Sequence, residues 1–76
     1  MPDMIEVQSS FIKAIGFEPD SPDDQSTGTV TIAFNDGAIF EYAGVSVEDF
    51  TALVNAPSVG KYFHAYFKRR YSGVRQ

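Results

Sequence analysis

The sequence predicts an α+β fold, a three-stranded antiparallel meander with two helices packed on one face, in the order β-β-β-α-α. Three observations carry this. "TVTIAF" (29–34) alternates with a period of two, as a half-buried strand does. "NDG" (35–37) follows as a hairpin turn signal and leads into the apolar and aromatic "AIFEY" (38–42). Beyond Gly44 the period changes: Val47, Phe50, Leu53 and Val54 recur at helical spacing, with Ser46 and Ser58 placed as N-caps. Strands followed by helices place both helices on one side of an antiparallel sheet.

The 76 residues make one domain, with a folded core of about 9–71. Residues 1–8 are expected to be a loose lead-in and 72–76 to fray. "SSFIKAIGF" (9–17) reads as the first strand, with Gly16 marking a bulge or a close backbone approach. "EPDSPDDQST" (18–27) holds two prolines and four acids and almost nothing apolar, so it is a solvated loop.

The central hairpin has two possible registers. A three-residue loop built on a type I turn, with Gly37 in the left-handed position, pairs Phe34 with Ala38, Ile32 with Phe40 and Val30 with Tyr42. A two-residue loop would turn Phe40 and Tyr42 to the other face, since a one-residue slip flips every side chain. The first register gathers the large residues together and is preferred. It makes Phe40 and Tyr42 core residues rather than a base-stacking pair on an open sheet face.

The first helix spans 46–57. Ser46 caps it, Asp49 stands where a capping box usually has Glu or Gln, and Pro57 ends it. Ser58 then caps a second helix running to about Tyr71. At 3.6 residues per turn, Val59, Phe63, Tyr66 and Phe67 share the face turned to the core. Lys61, His64 and Lys68 share the wet face, joined by Tyr71 and Arg75 if the helix continues that far. Tyr62 and Arg69 flank it. Arg70 lies on the apolar side, near enough to the end to reach water.

A chain this small buries only about 60% of its unfolded surface. It has no Cys, so apolar packing must hold it together, with seven Phe and four Tyr as the main contributors. The lack of Cys also removes thiolate catalysis and thiolate metal sites. The N-terminal stretch has no basic region followed by an apolar one, and no apolar run approaches the ~20 residues of a membrane span. A soluble, cytoplasmic protein without membrane association is the expectation.

Charge is sharply divided. Residues 1–60 hold one lysine against ten acids, a net −9, while residues 61–76 hold five basic residues and no acid, a net +5. Either the two halves attract each other within the fold, or the basic end is a binding patch.

"SSFIKAIGF", "VTIAFNDGAIFEYAGV" with its aromatic-x-aromatic Phe40-Glu41-Tyr42, "DFTALVNAPSVGKYF" with its Ser-x-Gly-Lys-aromatic-Phe run, and the late "RRY" stand in an order that resembles the KTSC domain. That small domain occurs alone in bacterial and phage-type proteins and at the C-terminus of some lysyl-tRNA synthetases. The resemblance covers residues 9 to about 71. This sequence departs from the pattern at Phe40, where Tyr is usual, at His64, where Asn is common, and in the length of its acidic loop. The resemblance implies the small α+β fold and an RNA-binding role. It carries over no aminoacylation activity, because no synthetase catalytic domain is present.

The residues themselves offer little for catalysis. His64 is the single histidine and has Lys68, not a ligand, four residues on, so no metal site is expected. No Ser/His/Asp arrangement is readable. Asp23-Asp24 and Glu48-Asp49 are expected to be solvated, with nothing to shift their acidity. No enzyme activity and no cofactor are expected. The candidate nucleic-acid-binding residues are Lys61, His64, Lys68 and Arg69, facing RNA or DNA phosphates, with Tyr62 and Tyr71 as exposed stacking rings. The candidate anion site is Ser58, Gly60 and Lys61 at the start of the second helix. It is not a Walker A loop, which needs an earlier Gly and a leading strand. The alternative is a protein-interaction module docking on a larger bacterial or viral factor. Self-association through a sheet edge is a third reading.

Overall fold

The computed structural model describes residues 3–76. Five strands, β1 (Met4–Glu6), β2 (Ile12–Pro19), β3 (Thr27–Phe34), β4 (Ile39–Ser46) and β5 (Gly73–Arg75), form one antiparallel sheet in chain order. Helix α1 (Val47–Val54) follows β4, and helix α2 covers 59–70. The α+β class and the helices on one face agree with the sequence reading. The strand count does not: the sheet has five strands, not three.

The two additional strands lie in segments expected to be loose, although residues 1 and 2 of the expected lead-in fall outside the described residues. Met4, Ile5 and Glu6 pair with Gly16, Ile15 and Ala14, and Gly73, Val74 and Arg75 pair with Tyr42, Glu41 and Phe40. Both are three residues long and largely exposed. Backbone hydrogen bonding to a sheet edge holds them, continued by Val7 N–H to Lys13 O (3.2 Å) and Gln76 N–H to Ile39 O (2.8 Å). An element that buries so little leaves no periodic trace in its side chains.

The first strand begins later than predicted. The Ser9 hydroxyl accepts hydrogen bonds from the Phe11 and Ile12 amides (3.1 and 3.2 Å), forming a turn before β2. The irregularity in β2 falls between Ile12 and Ala14, whereas Gly16 pairs regularly with Thr31.

The hairpin adopts the three-residue register. Val30 pairs with Tyr42 and Ile32 with Phe40, the Phe34 amide donates to Ala38 O (2.9 Å), and Gly37 has φ +95°. The Asp36 carboxylate accepts from the Ala38 amide (2.9 Å) and fastens the turn.

Ile12, Ile15, Val30, Ile32, Tyr42 and Val45 from the sheet meet Leu53, Val59, Phe63 and Phe67 from the helices in one core. Tyr42 contacts Phe63 and Phe67 edge-on, with centroids 6.0 and 5.3 Å apart. Phe50 of α1 stacks on Phe17 of β2 (5.1 Å). The opposite sheet face, with Ala14, Gly16, Thr31 and Glu41 side by side, carries no helix.

Helix α2 departs from regular α geometry. α-Helical turns at Val59–Tyr62 and Lys68–Arg70 flank a π-helical stretch, Phe63–Phe67. Wider i→i+5 turns keep residues four apart more nearly in line. Val59, Phe63 and Phe67 are therefore all buried, and Tyr71 packs below them. Tyr66, assigned to the core face by a regular helical wheel, is instead 60% exposed.

Both predicted serine caps form: Ser46 Oγ accepts from Asp49 N (3.1 Å) and Ser58 Oγ from Lys61 N (3.4 Å). The reciprocal half of the Ser46 capping box does not. The Asp49 carboxylate accepts from the Tyr71 hydroxyl, and that hydroxyl accepts from the Ser46 amide (3.5 Å). Among the described residues no helix is long and apolar enough to cross a membrane.

Candidate functional site

Two grooves share one side of α2. The first, of about 770 Å³, lies between Gln8, Ser9, Ser10 and Phe11 ahead of β2 and Pro57, Ser58, Val59, Gly60, Lys61, His64 and Ala65 of the helix. The second, of about 360 Å³, has walls of Phe11, Phe34, Ala38, Phe40, Tyr42 and Phe63. Asp36, His64, Lys68 and Arg75 complete its lining. Phe11 and His64 belong to both. Their rings lie 4.8 Å apart at 33° and separate the two hollows.

The candidate anion residues Ser58, Gly60 and Lys61 all line the first groove. The Ser58 hydroxyl is committed to capping the helix, as is the Lys61 amide that it holds. Gly60 admits the approach of the chain before β2: a β-carbon there would stand 3.3 Å from Ser9 Oγ. Ser10, Lys61 and His64 are exposed beside them.

Of the candidate nucleic-acid residues, Lys61 and His64 line the first groove and Lys68 and His64 the second. Arg75 joins the second groove from β5, where it pairs with Phe40, and not from an extended helix. Arg69 is exposed but lines neither groove. Tyr62 is half-buried against the core, with its ring 5.1 Å from Tyr66. The expectation of Tyr71 as an exposed stacking ring is corrected. It is half-buried, its ring packs on Phe67 (5.0 Å), and its hydroxyl is engaged by Asp49 and Ser46.

The charge division does not resolve into a network of internal pairs. Among the described residues the one ion pair within 4.0 Å is Arg70–Asp49, at 3.3 Å, with the Arg70 side chain 65% exposed. Lys61, Lys68 and Arg75 therefore have no carboxylate within that reach, and all three are exposed. They and His64 form a basic stripe along both grooves. Asp36 is the acid lining the second groove.

Sequence reasoning missed Phe11 and Phe40 as groove residues, and the register argument made Phe40 core. Tyr42 is indeed buried, whereas Phe40 is only half-buried and opens on the second groove. Burial raises the Tyr42 phenol above its ordinary value, so it stays protonated and able to donate. Among the described residues no three His, Asp or Glu side chains gather closely enough to hold a metal ion.

The model of the KTSC domain matches residues 8–71. The chain is 38% identical over 68 residues to a lysine–tRNA ligase of Nostoc sp. (strain PCC 7120), a match covering 90% of this chain and 11% of the ligase. It is 30% identical over 64 residues to an uncharacterized protein of Stutzerimonas stutzeri (strain A1501), covering 84% of this chain and 82% of that one. Among solved structures it is similar to the KTSC domain protein YPO2434 from Yersinia pestis. There the TM-score is 0.80 and the identity 25%, over 100% of this chain and 99% of the other. The chain thus spans about a tenth of the length of the ligase it matches and nearly the whole of the solved domain. The family model, the relatives and the shared architecture lead to one conclusion: this chain belongs to the KTSC domain family.

Proposed function

We propose that the domain is a non-catalytic nucleic-acid-binding module that holds the phosphate backbone along Lys61, His64, Lys68 and Arg75. One observation carries this reading. The lysines and the arginine are exposed and free of carboxylate contacts within 4.0 Å, although residues 1–60 hold ten acids. Basic side chains left unpaired on an acidic protein retain their charge for an outside anion. The −9 borne by the rest of the chain makes the binding one-sided and limits nonspecific affinity. The place of action in this reading is the cytoplasm.

The test is a titration with a short single-stranded RNA, followed by fluorescence anisotropy over a range of salt. Three phosphate contacts on a single strand give a slope of about −2 in log affinity against log salt. The double substitution Lys61→Glu/Lys68→Glu is expected to abolish measurable binding at moderate salt. Unchanged affinity at low salt would sink the reading.

A protein-interaction role is a second reading, supported by the sheet face that carries no helix. A partner retained by the domain after nuclease treatment of a bacterial lysate, and lost on introducing a charge at Ala33, which pairs with Ala14 on that face, would favour it over the first.

A further inference from the structure

The second groove combines features that a phosphate-binding stripe does not require. Its walls are aromatic: Phe34, Tyr42 and Phe63 are nearly buried, while Phe11 is 42% exposed and Phe40 half-buried. Phe34 meets Phe40 edge-on (5.7 Å, 88°) and lies 5.0 Å from Phe11, so the exposed rings rest on a packed base. At about 360 Å³ the hollow falls within the roughly 300–1,000 Å³ range of small-ligand sites. Two cations also line it, Lys68 on the helix and Arg75 paired with Phe40, and the His64 ring lies tilted against Phe11 (4.8 Å, 33°). The Asp36 carboxylate repels a phosphate from its own side. The Tyr42 hydroxyl has no hydrogen-bond partner among the described residues and is not sealed from solvent.

We infer that this groove receives one unstacked nucleobase of a single-stranded nucleic acid, with the adjoining phosphate held by Lys68 and Arg75. The inference rests on the phosphate-binding reading above and specifies which nucleic acid that reading concerns. Charge complementarity selects the occupant. An apolar side chain would fill the aromatic hollow but leave Lys68 and Arg75 without an anion. A free phosphate would meet the cations but leave the aromatic walls in water. A nucleotide presents a flat π-face and an anion about one sugar apart, and stacking tolerates any base. A base paired in a duplex cannot enter without leaving its stack, so single strands are preferred.

The experiment compares a seven-nucleotide single-stranded RNA, the same strand in a duplex, and adenosine monophosphate, each titrated into isotopically labelled protein. The single strand is expected to bind at least about tenfold more tightly than the duplex. It is expected to move the ring-proton resonances of Phe11 and Phe40 as well as the backbone of Lys68 and Arg75. Phe11→Ala alters an exposed ring, and its amide spectrum reports whether the fold survives. It is expected to lower single-strand affinity about tenfold, the scale of one lost stacking contact, without lowering duplex affinity. Unmoved wild-type ring resonances with the single strand bound, or single-strand affinity unchanged in Phe11→Ala, overturn the base site. The phosphate reading stands in that case if Lys68→Glu still weakens binding. Adenosine monophosphate binding as tightly as the strand also overturns it, in favour of a free-nucleotide site. Failure of every probe to bind overturns both readings.

Discussion

Tyr71 donates its hydroxyl hydrogen to the Asp49 carboxylate, joining the C-terminal end of α2 to the first turn of α1. The same oxygen accepts from the Ser46 amide, so a side chain 25 residues away completes the cap that Asp49 alone leaves open. Hydrogen bonds to charged groups contribute about 1.5–3 kcal/mol, and Tyr71 and Asp49 are only partly exposed. Tyr71→Phe is expected to cost about 1–2 kcal/mol in urea unfolding. In a double-mutant cycle with Asp49→Ala, most of that loss is expected to vanish once Asp49 is gone.

Arg70 touches the same carboxylate with little effect. Its side chain is largely in water, and exposed pairs contribute below about 1 kcal/mol. Arg70→Ala is expected to shift the unfolding midpoint only slightly, and the shift to disappear in high salt. A loss equal to that of Tyr71→Phe would contradict this division of roles.

Gly73 lies directly over the Tyr42 ring, where a β-carbon would come within 2.6 Å of two ring carbons. Gly73→Ala therefore forces β5 away from β4. Overpacking of this kind costs about 1–3 kcal/mol. Faster hydrogen exchange at the Gln76 amide, bonded to Ile39 O, would report the separation. Arg75 moves with β5, so the second groove would lose one of its cations.

Tyr42 gives a pH signature. Burial disfavours its phenolate, so its folded value lies above the ordinary 10.0. A value raised by folding leaves stability intact below pH ~10 and erodes it as pH climbs through the folded value. In an alkaline absorbance titration, Tyr42→Phe is expected to remove a late-ionising step.

Arg69 supplies a control for the binding stripe. It shares the charge of Lys68 but lines neither groove. At physiological salt, where screening acts over about 8 Å, Arg69→Glu is expected to weaken RNA binding less than Lys68→Glu. Equal losses would mean that the helix attracts anions as a whole, without a defined stripe.

The legible parts of the fold are those whose side chains do the folding. Val30, Ile32 and Phe34 opposite Phe40 and Tyr42 revealed the hairpin register, because only one register buries them together. Ser46 and Ser58 revealed both helix starts through a local bond to a nearby amide. The edge strands β1 and β5 were hidden because backbone pairing, blind to side-chain type, forms them. Tyr66 was misplaced because the π-helical stretch changes the helical phase, and "FHAYF" gives no notice of it. The basic stripe was half legible: Lys61, His64 and Lys68 followed from helical spacing, while Arg75 arrived on a strand. Tyr71 looked available because Asp49, its partner, is 22 residues away and in another element.

The order of strands in the sheet repeats their order in the chain. Strands β2, β3 and β4 can thus each dock on the one preceding it across a short connection, whereas β5 returns to β4 only after both helices. Local pairing lowers contact order and raises folding speed, so β1 to β4 are expected to gain amide protection early in refolding and β5 last, as pulsed hydrogen exchange would show. Early pairing of β1 to β4 leaves few strand edges open, which protects a small acidic domain from aggregating before its second helix closes the core.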